Sequence, residues 1–93
     1  MQYLKVKWVH NLDGEPVFLY SELTDDRSEL RKVEVFACGK FGYAYDGKSK
    51  GTTGLSETAI PSAEEIAKDP QFEPEIITKF EFEEIFKQAI EQT

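Results

Sequence analysis

Cysteine is scarce in this chain, since Cys38 is the only one among 93 residues and no disulfide can form within the chain. Small secreted domains usually depend on several disulfides. The first ten residues include lysines and lack the apolar run of a signal peptide, and no segment approaches the roughly 20 apolar residues of a membrane span. We therefore expect a cytoplasmic protein, with Cys38 an inert, half-buried thiol at a hairpin turn.

Basic residues are also in short supply, with 11 lysines and arginines against 18 acidic residues and a net charge of −7. Residues 1–56 hold eight of each sign, so the whole imbalance lies in residues 57–93, which hold ten acidic and three basic residues. Binding to nucleic acid or to an anionic membrane requires a basic face. The charge distribution argues against both ligands and favours a protein partner that is itself basic.

Histidine is limited to His10, so a site built from several imidazoles is excluded. A metal site would need Asp13 or Glu15 to converge with His10, and acid–base catalysis would use the same groups. The spacing of these residues is specific neither for a metal site nor for acid–base catalysis. We expect His10 to be a strand-end histidine bonded to nearby backbone. We therefore predict no catalytic residue, no cofactor and no metal ligand, and an enzyme remains the weaker alternative.

The first half of the chain alternates apolar and polar residues with a period of two, which is typical of β-strands. The pattern runs through residues 3–10, 17–23, 29–37 and 41–46, and the short connections favour an antiparallel meander. A fifth, edge strand is expected at residues 55–60. The flexible segment Gly47–Gly54 separates it from the fourth strand. Residues 1–60 are thus the predicted sheet region of a single domain spanning residues 1–93.

Residues 61–93 are predicted to form a helical, acidic region. Ser62 and Glu65 have capping-box spacing ahead of a short helix from Ala63 to about Lys68, and Thr78 with Glu81 repeats that spacing. One helical face then collects the apolar residues Phe82, Ile85, Phe86, Ala89 and Ile90. The predicted fold is α+β: an antiparallel four- to five-stranded meander sheet with a short helix and a C-terminal amphipathic helix packed on one face.

Residues Gly42–Ser49 match the phosphate-loop expression GxxxxGK[ST]. That loop binds phosphate only where a strand leads into it and a helix begins at its Lys-Ser pair. Here the middle residues alternate as a strand, and the glycine-rich segment that follows does not favour a helix. We reject a nucleotide site on this ground.

Two sets of side chains are candidates for binding a partner. One helix covers only one face of a sheet, so we expect exposed aromatic residues on the other face, with Tyr20 and Tyr43 as anchors. The acidic residues of the second half would supply a docking surface for a basic partner. The candidate acidic contacts are Glu64, Glu65, Asp69, Glu73 and Glu75. In the alternative interpretation, the domain is a small-ligand-binding or regulatory module that uses a cleft near Trp8, His10 and the Gly47–Gly54 segment.

Several blocks, in order, carry a family resemblance: LKVKWVH, EPVFLYSEL, RKVEVF, GTTGL, DPQFEP and ITKFEFEEIFKQA. Together they resemble a family of small bacterial proteins with a DUF6881-type domain, over nearly the whole chain. Phe86 stands where similar sequences are expected to have Trp, a conservative apolar change. The resemblance implies an α+β domain of this length without established catalytic residues. It also implies an immunity role, because some members are expected beside toxin genes.

These observations predict a non-enzymatic, acidic protein-binding module. Its expected role is that of an immunity or inhibitor protein that neutralises a basic bacterial effector, such as a nuclease toxin, by occluding its substrate groove. Both a monomer and a homodimer are compatible with the sequence.

Overall fold

The computed structural model describes residues 1–51 and 53–92 as an α+β fold around one antiparallel sheet of six strands. The strands lie in the order β5-β4-β3-β2-β1-β6, and every neighbouring pair is antiparallel. The strands are β1 (Gln2–Trp8), β2 (Pro16–Leu23), β3 (Glu29–Phe36), β4 (Phe41–Tyr45), β5 (Lys48–Lys50) and β6 (Phe72–Ile76). The helices are α1 (Ala63–Ile66) and α2 (Lys79–Glu91). Neither helix of the described residues is long and apolar enough to cross a membrane.

The four-strand meander predicted from the sequence is present as β1 to β4. The strand count differs, because two more strands flank the meander. β5 forms at the start of the predicted flexible segment, whose residue Thr52 lies outside the described residues, as does Thr93. The expected edge strand at residues 55–60 is absent. Instead, β6 forms one edge of the sheet by pairing with β1.

The β4–β5 connection explains why the phosphate-loop expression is satisfied by chance. Asp46 and Gly47 both have positive φ, at 46° and 75°, as expected for a tight two-residue hairpin turn. Tyr45 pairs with Lys48 directly across that turn. Residues Gly42–Ser49 are therefore an antiparallel hairpin rather than the strand, loop and helix that would hold a phosphate.

Helix α2 packs on one face of the sheet, as its apolar stripe predicts. Thr78 and Glu81 form the predicted capping box at its start. Phe82 is fully buried against Tyr3 and Ile77, and Phe86 packs beside them. We call this side of the sheet the α2 face.

The second face is also covered, which corrects the expectation that one face stays open. Leu4, Val6 and Leu23 form a core there, and Ile60, Ala63 and Ile66 pack on it. The covering chain runs from residue 53 to α1, which has the predicted Ser62 cap but ends at Ile66 rather than near Lys68. We call this side the α1 face.

Two polar side chains hold the covering segment to the sheet. The buried carboxyl group of Glu29 accepts hydrogen bonds from the Ser21 hydroxyl, at 2.6 Å, and from the Ser56 backbone amide, at 2.8 Å. Arg27 donates to the backbone oxygens of Ile60 and Pro61, both at 2.7 Å. These bonds join residues far apart in the chain, so local periodicity does not reveal them.

Candidate binding surfaces

His10 lies at the end of the β1 region and has both ring nitrogens bonded to backbone. Nδ1 accepts from the Leu12 amide at 2.9 Å, so Nε2 carries the proton and donates to the Pro16 oxygen at 2.8 Å. The Trp8 ring packs edge-on against it, with centroids 4.3 Å apart. His10 thus shapes the β1–β2 loop, as expected of a strand-end histidine, and its nitrogens are occupied.

A cleft of about 830 Å³ opens beside this loop, and we call it the His10 cleft. The β1–β2 loop forms one wall and the β3–β4 turn forms another. Gly51 and Thr53 line it, so the cleft adjoins the Gly47–Gly54 segment as the alternative interpretation expects. Trp8 is not among the described lining residues, because it packs behind His10 and against Phe72. Cys38 also lines the cleft and is exposed, which corrects the expected half-buried thiol.

The five predicted acidic contacts lie around one edge strand, β6. Glu73 and Glu75 project from β6 on the α2 face, next to Lys7 and Lys5 in the register. The other three lie on α1 and in the turn that follows it, and α1 packs next to β6. We call the set the acidic edge: Glu64, Glu65, Asp69, Glu73 and Glu75.

Most of these carboxylates form no direct ion pair with a described residue, although Lys5 and Lys7 lie across the register from Glu75 and Glu73. Glu65 pairs with Lys68 at 3.1 Å, where both side chains are largely exposed. Within the described part of the chain, the other four carboxylates form no ion pair, and all of them are exposed. The acidic edge is therefore a source of negative potential for any approaching partner.

The backbone of β6 is poorly suited to accept another strand. The backbone hydrogen bonds from the Val9 amide to the Gln71 oxygen, at 2.7 Å, and from the Ile77 amide to the Tyr3 oxygen, at 3.0 Å, show which residues of β6 bond to β1. In an antiparallel pair, every second residue bonds to the neighbouring strand. In that alternation Phe72, Pro74 and Ile76 turn their backbone groups away from β1. Pro74 has no N–H, and the Phe72 amide already donates to the Asp69 oxygen at 3.0 Å. Contact at this edge therefore depends on side chains.

The two predicted aromatic anchors both lie half-buried on the α2 face, so the expectation that they are exposed on the face opposite the helix is wrong. Tyr20 packs against the core cluster of Tyr3, Ile77 and Phe82. One register row runs across the sheet through Lys50, Tyr43, Val33, Tyr20, Lys5 and Glu75. Tyr20 is half-buried, and burial together with Glu75 and Glu81 raises the pKa of its phenol. Tyr43 is four strand spacings from β6, about 19 Å. The structure brings Tyr20 towards the acidic edge and leaves Tyr43 apart from it.

A groove of about 360 Å³ lies under α1 on the α1 face, and we call it the α1 groove. Its floor is apolar, formed by side chains of β1 and β2 with Ile60, Ile66 and Phe72. Glu65 and Asp69 of the acidic edge stand on its rim. Sequence reasoning missed this groove, although apolar Ile60 and Ile66 amid acidic residues were a signal of it.

Among the described residues, no group of three or more histidine, cysteine or acidic side chains is placed to hold a metal ion. The fold defines a class: a small α+β domain with one antiparallel sheet and a helix on each face. A family model described as a domain of unknown function, DUF6881, matches residues 2–91, and the chain belongs to that family. The comparison with curated proteins gave no match, and neither did the comparison with solved structures.

Proposed function

We propose that this domain is a non-enzymatic protein-binding module whose acidic edge contacts a basic partner. One observation carries the proposal: five carboxylates of residues 64–75 lie on and beside β6, and four of them have no ion-pair partner in the described chain. Unpaired surface charge of one sign steers a partner of the opposite sign and raises the rate of encounter.

Neighbouring apolar side chains supply the short-range contact that charge alone does not provide. Ile76 is 65% exposed on β6, and Phe80 is 72% exposed in the first turn of α2. Tyr20 lies two strands away on the α2 face. Interfaces combine such apolar and aromatic anchors with a polar rim. The acidic edge with these residues has that composition.

The occupied nitrogens of His10 support binding rather than catalysis as the role of this domain. The finer proposal is an immunity or inhibitor protein that blocks a basic effector. Enzymes that act on nucleic acids have basic substrate grooves. An edge strand with carboxylates on both of its sides has a shape and a charge suited to entering such a groove.

Affinity capture from the native host tests the proposal with two matched variants. The edge variant carries Glu64→Gln, Glu73→Gln and Glu75→Gln, and the control carries Asp25→Asn, Glu84→Gln and Glu91→Gln. Both remove three exposed negative charges. A stoichiometric protein partner should bind wild type and control, and should be lost from the edge variant and at about 0.5 M salt. Equal retention by all three proteins, and by a fourth with Glu65→Gln and Asp69→Asn, would exclude the acidic edge.

A second candidate function is small-ligand binding in the His10 cleft. The observation that favours it is the volume of about 830 Å³, which lies in the range of ligand pockets. Ala37 lines the cleft at an exposed position, so Ala37→Trp should fill it without disturbing the core. A metabolite mixture that raises the melting temperature of wild type but not of Ala37→Trp would favour this function. An equal rise in both proteins would exclude the cleft.

A further inference from the structure

The α1 groove combines features that a solvated acidic surface does not need. Leu4 and Val6 are almost fully buried at its floor, and Leu19 is half-buried there. The groove is nevertheless open to solvent along α1, with a volume of about 360 Å³. The apolar surface that stays accessible belongs to the half-buried lining residues Leu19, Ile60, Ile66 and Phe72, and its place beside a charged helix favours a ligand that is itself partly apolar.

The charged groups that line the groove are mostly of one sign. Glu29, Glu65 and Asp69 stand against the single cation Lys32, whose ammonium lies 3.9 Å from a Glu34 oxygen. Glu29 is committed to Ser21 and Ser56. Asp69 accepts one backbone hydrogen bond, from the Gln71 amide at 3.0 Å. Glu65 pairs with Lys68 at 3.1 Å, but both side chains are largely exposed and such surface pairs contribute little free energy. The rim carboxylates Glu65 and Asp69 therefore keep the capacity to bind a further cation.

We propose that the α1 groove binds a lysine or arginine side chain of the partner, with its aliphatic stem on the apolar floor and its cationic head at Glu65 and Asp69. Long basic side chains bury their methylenes on apolar surface while the charged end stays at the rim, and the groove matches both parts. The inference rests on the proposed function, because it assigns the chemistry that the acidic edge recognises. It excludes an anionic ligand, because the rim carboxylates would repel that ligand.

The n-alkylammonium ions from methyl to hexyl are suitable probes, because they carry the head and the stem of a basic side chain and nothing else. Two-dimensional amide NMR of the whole chain would report where they bind. We expect saturable shifts at Ile60, Ile66 and Phe72, with affinity rising about fourfold for each methylene buried. Hexanol and hexanoate are the matched controls for charge. Hexylammonium shifts that avoid these residues, or equal binding of hexanol, would overturn the proposal.

Two pairs of substitutions test the rim. Glu65→Gln with Asp69→Asn removes both rim charges and keeps the acceptor for Gln71, and should weaken hexylammonium binding about five- to tenfold. Glu64→Gln with Glu84→Gln removes the same charge outside the groove, and should leave the affinity within about twofold. Equal weakening by both pairs would mean that only net charge matters, and would overturn the rim assignment.

The two proposals fail in distinguishable ways. The edge variant changes no residue that lines the groove, so it should bind hexylammonium within about twofold of wild type. If both the edge variant and the rim variant retain the partner while the rim variant loses hexylammonium, the acidic edge is wrong and the groove chemistry stands. If the edge variant loses the partner while hexylammonium never binds at the groove, the acidic edge stands and the groove inference is wrong.

Discussion

The guanidinium of Arg31 on β3 donates to both carboxylate oxygens of Glu83 on α2, at 2.9 and 3.0 Å. The same guanidinium donates to both oxygens of Glu22 on β2, each at 2.7 Å. Its flat side lies near Phe82 and Phe86, 4.9 and 4.6 Å from the ring centroids. Arg31 is therefore the polar connection between the sheet and its main helix, inside a largely apolar contact.

Arg31→Met should lower the free energy of unfolding by about 2–3 kcal/mol, because it leaves the buried Glu22 carboxylate without its cation. Urea denaturation followed by Trp8 fluorescence measures this. Adding Glu22→Gln to Arg31→Met should cost little more, since the unpaired charge is then gone. A double variant whose loss equals the sum of the two single losses would show that the ion pair has no such role.

Acid should destabilise the fold through the same group. The hydrogen bonds from Arg31, helped by the one that Tyr3 donates at 3.0 Å, hold the pKa of Glu22 below its ordinary value of 4.5. A lowered folded-state pKa stabilises the fold above the unfolded pKa, and this stability is lost as the pH falls through the folded value. Urea denaturation should show a loss that begins below about pH 4.5. Glu22→Gln should flatten this part of the profile, and an unchanged profile would contradict the assignment.

Alkali should act through Tyr3. Burial, followed by its bond to Glu22, raises the pKa of the Tyr3 phenol above its ordinary value of 10.0. The folded state therefore favours the neutral phenol, so this contribution is complete below pH 10 and is lost as the pH rises through the folded value. Tyrosinate absorbance should show two late-titrating tyrosines, Tyr3 and Tyr20, and Tyr3→Phe should leave one of them. Two late-titrating tyrosines in Tyr3→Phe would contradict the prediction.

Local patterns were enough for the elements whose side chains repeat with a clear period. The strands β1 to β4 and the capping box of α2 follow from alternation and from Thr78 with Glu81. β6 alternates apolar and acidic residues over only five positions, and Pro74 at its centre argues against a strand, so the pattern does not predict one. Its place beside β1 is set by pairing across about 70 residues of sequence, as between Lys5 and Glu75.

The acidic docking surface was predictable as a set of residues but not by its place on the fold. Charge counting identifies the candidate acidic residues, yet only the pairing of β6 with β1 shows that they lie around one edge of the sheet. The α1 groove depends on the segment that covers the second face. Arg27 and Glu29 hold that segment through hydrogen bonds to residues distant in the chain. No repeating pattern in the segment's own sequence predicts these bonds.

Gly42→Ala should destabilise the domain by about 1–3 kcal/mol. A Cβ atom at Gly42 would lie 2.2 Å from the Thr53 hydroxyl oxygen, so Thr53 would have to move and lose its hydrogen bond to Glu34. Gly54→Ala is the matched control, because its Cβ would meet no atom within 4 Å. Thermal unfolding of both variants measures the difference. Similar melting temperatures would show that Thr53 adapts without cost.

Arg27→Ala should loosen the segment that leads into α1. It removes the bonds to Ile60 and Pro61 and the one to the Gln2 side chain, at 2.6 Å, while the backbone bond from the Ile60 amide to the Arg27 oxygen remains at 2.9 Å. We expect a loss of about 1–2 kcal/mol. Amide hydrogen exchange should become faster from Ile60 through α1 and stay unchanged in β4.

Arg27→Gly separates the side chain from the backbone at this position. Arg27 has a φ of 67°, a conformation that glycine adopts without strain and alanine does not. The glycine variant should therefore be more stable than the alanine variant by up to about 1 kcal/mol, yet show the same faster exchange in α1. Arginine and alanine carry the same cost at this φ, so normal exchange in Arg27→Gly would contradict the prediction that the lost hydrogen bonds loosen the segment.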